Sequence, residues 1–206
     1  MKKFLPTILL AFIAATAGMV FSNDFSRLFK KPEFANATLY PEDFRSLPEF
    51  SLSDHNGNRF TKDNLKNTWS ILFFGFVNCP DVCPNTLAIL RESYEKLGDL
   101  KADVQVIFLS VDPQRDTQEL LKDYTTYFHS DFVGVTGELD ALKSLTKEMS
   151  IHFEYHIDEA NSEYYQVDHY SGVFVIDPTG KQHALISPPF SPGVIAQDIR
   201  TMIEFY

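Results

Sequence analysis

Cysteine is almost absent from this chain of 206 residues: Cys79 and Cys83 are the two it has. So sparse a set excludes a disulfide-built scaffold. A single structural staple is a poor reading as well. Closing a loop with three intervening residues removes little entropy from the unfolded chain, and a domain of this size has a core and does not need one. A close pair is better explained by chemistry. No cysteine follows the apolar N-terminal run, which excludes a lipid-attached N-terminus. Positive charge is also short. Lys and Arg number 18 against 28 Asp and Glu, for a formal charge of −10. Such a surface repels phosphate backbones, so no nucleic-acid partner is expected. Cationic metals and basic protein patches are compatible with it. Internal repeats and low-complexity tracts are missing, and no peroxide-type motif surrounds either cysteine.

What is present is an ordinary globular balance, 44% hydrophobic and 22% charged, with 19 Phe and 9 Tyr that promise an aromatic core. The length suits one domain plus a short appendage. The appendage is residues 1–21. Met1-Lys2-Lys3 is basic, and residues 4–21 carry no charge. Two readings stand. Ala15-Thr16-Ala17 fits the cleavage site of a secretory signal. Alternatively, 18 uncharged residues at about 1.5 Å rise come close to spanning a hydrocarbon core of roughly 30 Å. The lysines would then stay inside, and the domain would be exported on a single N-terminal anchor. Either way the cysteines work outside the cytoplasm. Residues 22–46 mix charges, aromatics and prolines without period and read as a linker, leaving 47–206 as the domain.

Within 47–206, apolar patterning alternates between strands and helices. Residues 49–53 alternate, Asn56-Gly57 is a hairpin signal, and 59–61 would return. Residues 61–65 read as a short helical turn. The continuous apolar run 69–76 suits a central strand buried on both faces. A helical stripe covers 86–100, a strand 104–111, a helix 118–128 capped by Asp116 or Thr117, a strand 132–136, and a helix 138–148. Residues 151–157 alternate and can pair with 164–167. Strands 171–176 and 182–186 flank the turn Asp177-Pro178-Thr179-Gly180, and a last helix runs over 192–205. This order predicts an α/β fold of thioredoxin-like type: a central mixed sheet flanked by helices, an N-terminal hairpin, and a β insertion before the last strands.

Cys79 follows the central strand and Cys83 begins the next helix. Free N–H groups and the positive end of the helix dipole favour thiolate there. The spacing Cys-x-x-x-Cys is one residue longer than the redox pair Cys-x-x-Cys. It can close a disulfide, and it can also splay two soft sulfurs around Cu(I) or Zn(II). Two ligands leave such a site open, and with no further cysteine the third is expected to be a histidine. His55, His129 and His183 read as surface residues. His152 and His156 share one face of a strand, either as a metal pair or as a solvated face. His169 differs. It precedes the strand 171–176, where thioredoxin-like folds bring a loop toward the cysteines. That loop usually carries a cis-proline, and here it has none.

Three stretches together make the chain similar to a known family. They are Gly75-Phe76-Val77-Asn78-Cys79-Pro80-Asp81-Val82-Cys83-Pro84, then Leu109-Ser110-Val111-Asp112-Pro113-Gln114-Arg115-Asp116-Thr117, and Val167-Asp168-His169 ahead of Val175-Ile176-Asp177-Pro178-Thr179-Gly180. In these it resembles the Sco/SenC family of copper proteins needed for assembly of cytochrome c oxidase, over about residue 47 to the C-terminus. The resemblance implies copper, as Cu(I) or Cu(II), held by Cys79, Cys83 and His169. It implies a metallochaperone serving the dinuclear copper site of oxidase subunit II or another acceptor, loaded by a copper donor protein. It also implies a membrane anchor, hence an inner-membrane protein with its domain facing the periplasm. The chain departs from the family at Asn78, where many members have His, and at Tyr170, where a small residue is common. The competing reading is a membrane-anchored thiol–disulfide oxidoreductase in which Cys79 and Cys83 reduce the acceptor's cysteines. Asp81 is a weak candidate oxygen ligand. Asp112, Arg115 and Asp116 either tune the thiolates or contact a partner, or form helix caps and a surface ion pair.

Overall fold

The computed structural model describes residues 32–41, 43–44, 46–157 and 165–206. Residues 1–21, read above as anchor or signal peptide, lie outside them. Among the described residues no helix is long and apolar enough to cross a membrane.

Ten strands occur among the described residues, in chain order: β1 (Ala37–Leu39), β2 (Ser51–Asp54), β3 (Arg59–Thr61), β4 (Trp69–Gly75), β5 (Val104–Ser110), β6 (Val133–Thr136), β7 (Phe153–Ile157), β8 (Tyr165–His169), β9 (Val173–Ile176) and β10 (Gln182–Ile186). Among the described residues four α-helices accompany them: α1 (Val82–Lys96), α2 (Gln118–Phe128), α3 (Leu139–Glu148) and α4 (Pro192–Phe205). Eight strands form one sheet in the order β1-β10-β9-β4-β5-β6-β2-β3. β4, β5 and β6 are parallel, and the strands outside them run antiparallel to their neighbours. β7 and β8 pair only with each other.

β4 lies at the centre because all seven of its residues are buried. Its side chains alternate between two cores. Trp69, Ile71 and Phe73 face the cluster completed by Cys83, Leu87 and Leu90 of α1 and by Ile195 and Ile199 of α4. Leu72 and Phe74 face the cluster completed by Leu142 and Leu145 of α3, Leu52 of β2 and Val167 of β8. The fully buried Phe73, Phe74 and Phe108 each contribute about 1.5–3 kcal/mol by leaving water. The expected thioredoxin-like architecture is thus the one found.

Several boundaries differ from the sequence reading, for physical reasons. The stretch read as linker contains β1, which adds an edge strand to β10. It is held there by the buried Asp198 of α4, whose carboxylate accepts from the backbone N–H groups of Ala35, Asn36 and Ala37. The packed domain therefore begins before residue 47. α1 starts at Val82, one residue before the expected start at Cys83 and ahead of the apolar stripe read over 86–100, and Pro84 is tolerated because it sits in the first turn, where its missing N–H costs nothing. Of the two residues offered as cap for α2, Thr117 does the capping, accepting from the Leu120 N–H.

Candidate metal centre

Where β4 ends, the chain turns sharply to enter α1, and this turn carries the cysteines. A side chain at Gly75 would put a Cβ 2.6 Å from Cys83 Sγ and 2.7 Å from a Phe108 ring atom, so glycine alone fits beside the buried thiol. The Cys79 N–H donates to the Phe76 carbonyl at 3.2 Å. The Val77 N–H donates to the Asp116 carboxylate at 3.0 Å, which ties the turn to the loop after β5. The Cys83 N–H, in the first turn of α1, donates to Cys79 Sγ at 3.4 Å. Cys79 is half-buried, Cys83 fully buried, and both are free thiols.

His169 reaches the same point from the far side. The structure places it at the end of β8 rather than in a loop, because the segment from Tyr165 pairs with β7 through Phe153↔His169. Its Nε2 lies 3.5 Å from Cys83 Sγ. The ring stands edge-on to Phe73 and Phe76, with centroids 6.2 and 5.9 Å away. Its Nδ1 is 3.3 Å from the Tyr170 carbonyl, which can only accept, so the contact assigns the proton to Nδ1 and the free lone pair to Nε2. Among the described residues, Cys79, Cys83 and His169 form a group whose ligand atoms all lie within 4.8 Å of one another. Two donors each about 2.3 Å from a shared ion stand no more than about 4.6 Å apart. The trio is therefore set at, or within a few tenths of an ångström of, the span one ion requires. Two sulfurs and an imidazole are the soft donors that suit Cu(I).

The two thiols are electrostatically unequal. A hydrogen bond from the Cys83 thiol is the main force lowering Cys79, with the Cys83 and Asp81 backbone N–H groups helping; together they outweigh its burial and bring it to about 4. Cys83 is pushed up, first by donating to that thiolate and then by burial. One thiolate is thus ready at neutral pH, and the second sulfur keeps its proton until something displaces it.

The remaining candidates separate cleanly. The Asp81 carboxylate is turned to the Asn85 amide, 2.5 Å away, and is not part of the three-residue group. His55, His129 and His183, expected at the surface, are half-buried structural residues. His55 Nδ1 accepts from the Gly134 N–H, His129 pairs with Glu95 at 2.9 Å, and His183 packs edge-on to Trp69. His152 and His156, expected on one strand face, are both exposed, but His152 lies just before β7 and only His156 is on it, bonded to Asp168 at 2.8 Å. Asp112 and Asp116, read either as tuning the thiolates or contacting a partner or as caps and a surface ion pair, are buried, which removes the surface reading. Asp116 accepts from Ser110 Oγ at 2.6 Å as well as from Val77, and burial raises it to about 6. Sequence reasoning missed Gly75 as a spacer and the tyrosines of the β7–β8 hairpin. A glycine at the end of an apolar strand was the available signal for the first, and none existed for the second.

The SCO1/SenC family model matches residues 40–204. A SCO2-like protein of Rickettsia felis is 34% identical over 152 residues, 74% of each chain. The crystal structure of Arabidopsis thaliana ScoI with copper bound superposes with a TM-score of 0.72 at 29% identity, covering 79% of this chain and all of that one. Yeast Sco1 with copper bound gives a TM-score of 0.72 at 30% identity over 79% of this chain and 91% of that one.

Proposed function

Because the chain belongs to the SCO1/SenC family, we propose that it is a copper metallochaperone, binding one copper through Cys79, Cys83 and His169. The observation that carries this reading is the convergence of those three side chains from two separate elements onto one point. Copper supplies a soft, low-coordinate centre that an acceptor's thiolates can attack. The chain's own residues do the rest. Cys79 offers a thiolate at neutral pH. Cys83 gives up its proton on binding, and its sulfur returns to the thiol form when the metal leaves. The imidazole presents Nε2, held in orientation by Phe73, Phe76 and the Tyr170 carbonyl. The acceptor we propose is the dinuclear copper site of cytochrome c oxidase subunit II, with a copper donor protein upstream. Residues 1–21 anchor the domain to the inner membrane, facing the periplasm.

A second reading is favoured by the lowered Cys79. A thiolate beside a protonated partner thiol is also how a disulfide is reduced. Cys79 would attack one sulfur of the acceptor's disulfide, forming a mixed disulfide. Cys83, losing its proton, would then close the Cys79–Cys83 bond and release the acceptor as a dithiol. Two electrons pass to the acceptor, and a membrane-side reductant of dithiol type must restore the pair.

His169→Ala separates the two. The chaperone reading expects tight Cu(I) binding and oxidase assembly to be lost while thiol–disulfide exchange survives. Unchanged Cu(I) affinity in this variant removes His169 from the ligand set. Persistence of oxidase assembly without tight copper binding favours the redox reading.

A further inference from the structure

The third ligand stands on the least supported part of the sheet structure. β7 and β8 form a two-stranded ribbon that pairs with no strand of the main sheet, and such ribbons are marginal on their own in water. Besides the packing of Val167, Phe153 and the two tyrosine rings against the core, it is held by polar contacts that land on one short stretch, residues 111–115. The Tyr155 hydroxyl donates to the Val111 carbonyl. The Tyr165 hydroxyl donates to Asp112 Oδ1 at 2.6 Å. Arg115 Nε donates to Asp112 Oδ2 at 2.5 Å, and its Nη1 donates to the Tyr165 carbonyl at 3.0 Å.

Arg115 does more than join this set. Its guanidinium lies 3.6 Å from the centroid of the Tyr165 ring and 5.6 Å from that of Phe76. Phe76 belongs to the cysteine turn. Its carbonyl accepts from Cys79, and its ring stands against His169. Along β8, Tyr165, Val167 and His169 share the inward face, as strand alternation requires. A cation stacked between Tyr165 and Phe76 therefore touches the ribbon at one end and the cysteine turn at the other.

We propose that Arg115 is a positioning residue for the metal centre: wedged between Tyr165 and Phe76 and fastened to Asp112, it sets the gap between His169 and the two sulfurs. This deepens the proposed function and rests on His169 being a ligand. Asp112 orients the fork and receives the tyrosine hydroxyl, so the three side chains act as one clasp. A planar, five-donor guanidinium can stack and bond at once, which an ammonium cannot. Lysine at this position is therefore expected to fail as a substitute.

The test uses the reduced full-length chain with Cu(I) as the probe, in a cycle of Arg115→Ala, His169→Ala and the double variant, alongside amide hydrogen exchange of the copper-free proteins. Arg115→Ala is expected to weaken Cu(I) binding about tenfold, the scale of an outer-shell partner. It should cause no further loss once His169 is gone. Exchange of the β8 amides should quicken while those of β4 keep their protection. Arg115→Lys should behave as Arg115→Ala does. Tyr165→Phe, which keeps the ring and removes only the hydroxyl bond, should lose about threefold in affinity. An Arg115→Ala loss of equal size with and without His169 overturns the proposal, as does unchanged β8 exchange. If His169→Ala alone leaves Cu(I) affinity intact, the ligand assignment falls first, and the exchange arm still decides whether Arg115 holds the ribbon.

Discussion

The three side chains of the candidate metal centre come from two regions that are built differently. Cys79 and Cys83 sit where the most buried strand of the domain meets the first helix. Both faces of β4 are packed, Gly75 is pressed against Cys83 and Phe108, and Asp116 holds the Val77 N–H. His169 sits on a ribbon joined to the rest by two tyrosine hydroxyls, one arginine, the buried Val167 and the partly buried rings of Phe153, Tyr155 and Tyr165. The cysteine side belongs to the main sheet, whereas the histidine side meets that sheet through side-chain contacts.

Three substitutions probe that contrast. The largest effect is expected at Asp116. Its carboxyl stands near 6 in the folded protein against about 3.9 in an unfolded chain. The folded state therefore holds the proton more tightly, and stability is present below pH 4 and falls as pH rises through 6. The cost above pH 6 is on the order of 3 kcal/mol. Asp116→Asn should abolish that slope. Denaturant unfolding of both proteins between pH 4 and 7 should show their stability difference changing in favour of the variant as pH rises. A constant difference would mean that Asp116 does not titrate in this window.

Gly75→Ala should cost about 1–3 kcal/mol, because the new methyl meets two fully buried groups that cannot withdraw. The loss should appear as a lower Tm of the whole domain, and the Cys79 and Cys83 sulfurs should lose their present spacing. A variant with the parent's Tm would mean that the turn is as yielding as the ribbon, and the contrast would collapse. The smallest global effect is expected for Tyr155→Phe. It removes one hydroxyl and costs about 1 kcal/mol, spent in local opening of β7–β8. Exchange in the ribbon should quicken with Tm nearly unchanged. A full drop in Tm would show the ribbon to be coupled to global unfolding.

The legibility of the chain follows the same division. The run 69–76 announces a buried strand because its signal is local, and the extents of α2, α4 and β10 could be read from period and turn residues alone. The cysteine pair was legible for the same reason: strand, turn and helix start are consecutive. The pairing of β7 with β8 was half legible, since alternation marks 151–157 while nothing local marks how far the partner runs. The enclosure of Asp112 and Asp116 was not legible, because two acids and an arginine after a strand look like a solvated loop until the chain folds over them. The same holds for His55, His129 and His183, whose partners Gly134, Glu95 and Trp69 are far away in sequence.

By itself, then, the sequence determined the alternation of strands and helices, the thiolate-favouring place of Cys79 and Cys83, and the donor types available for a soft metal. These depend on residue identity and on neighbours within a few positions. The tertiary structure alone decided that His169 comes from the end of a strand, that Nε2 is the nitrogen it presents, and that Arg115, in the loop after β5, lies between β8 and the cysteine turn. Those depend on where a two-stranded ribbon comes to rest, and its resting place is set by contacts with Val111, Asp112 and Arg115, some forty to fifty residues away along the chain.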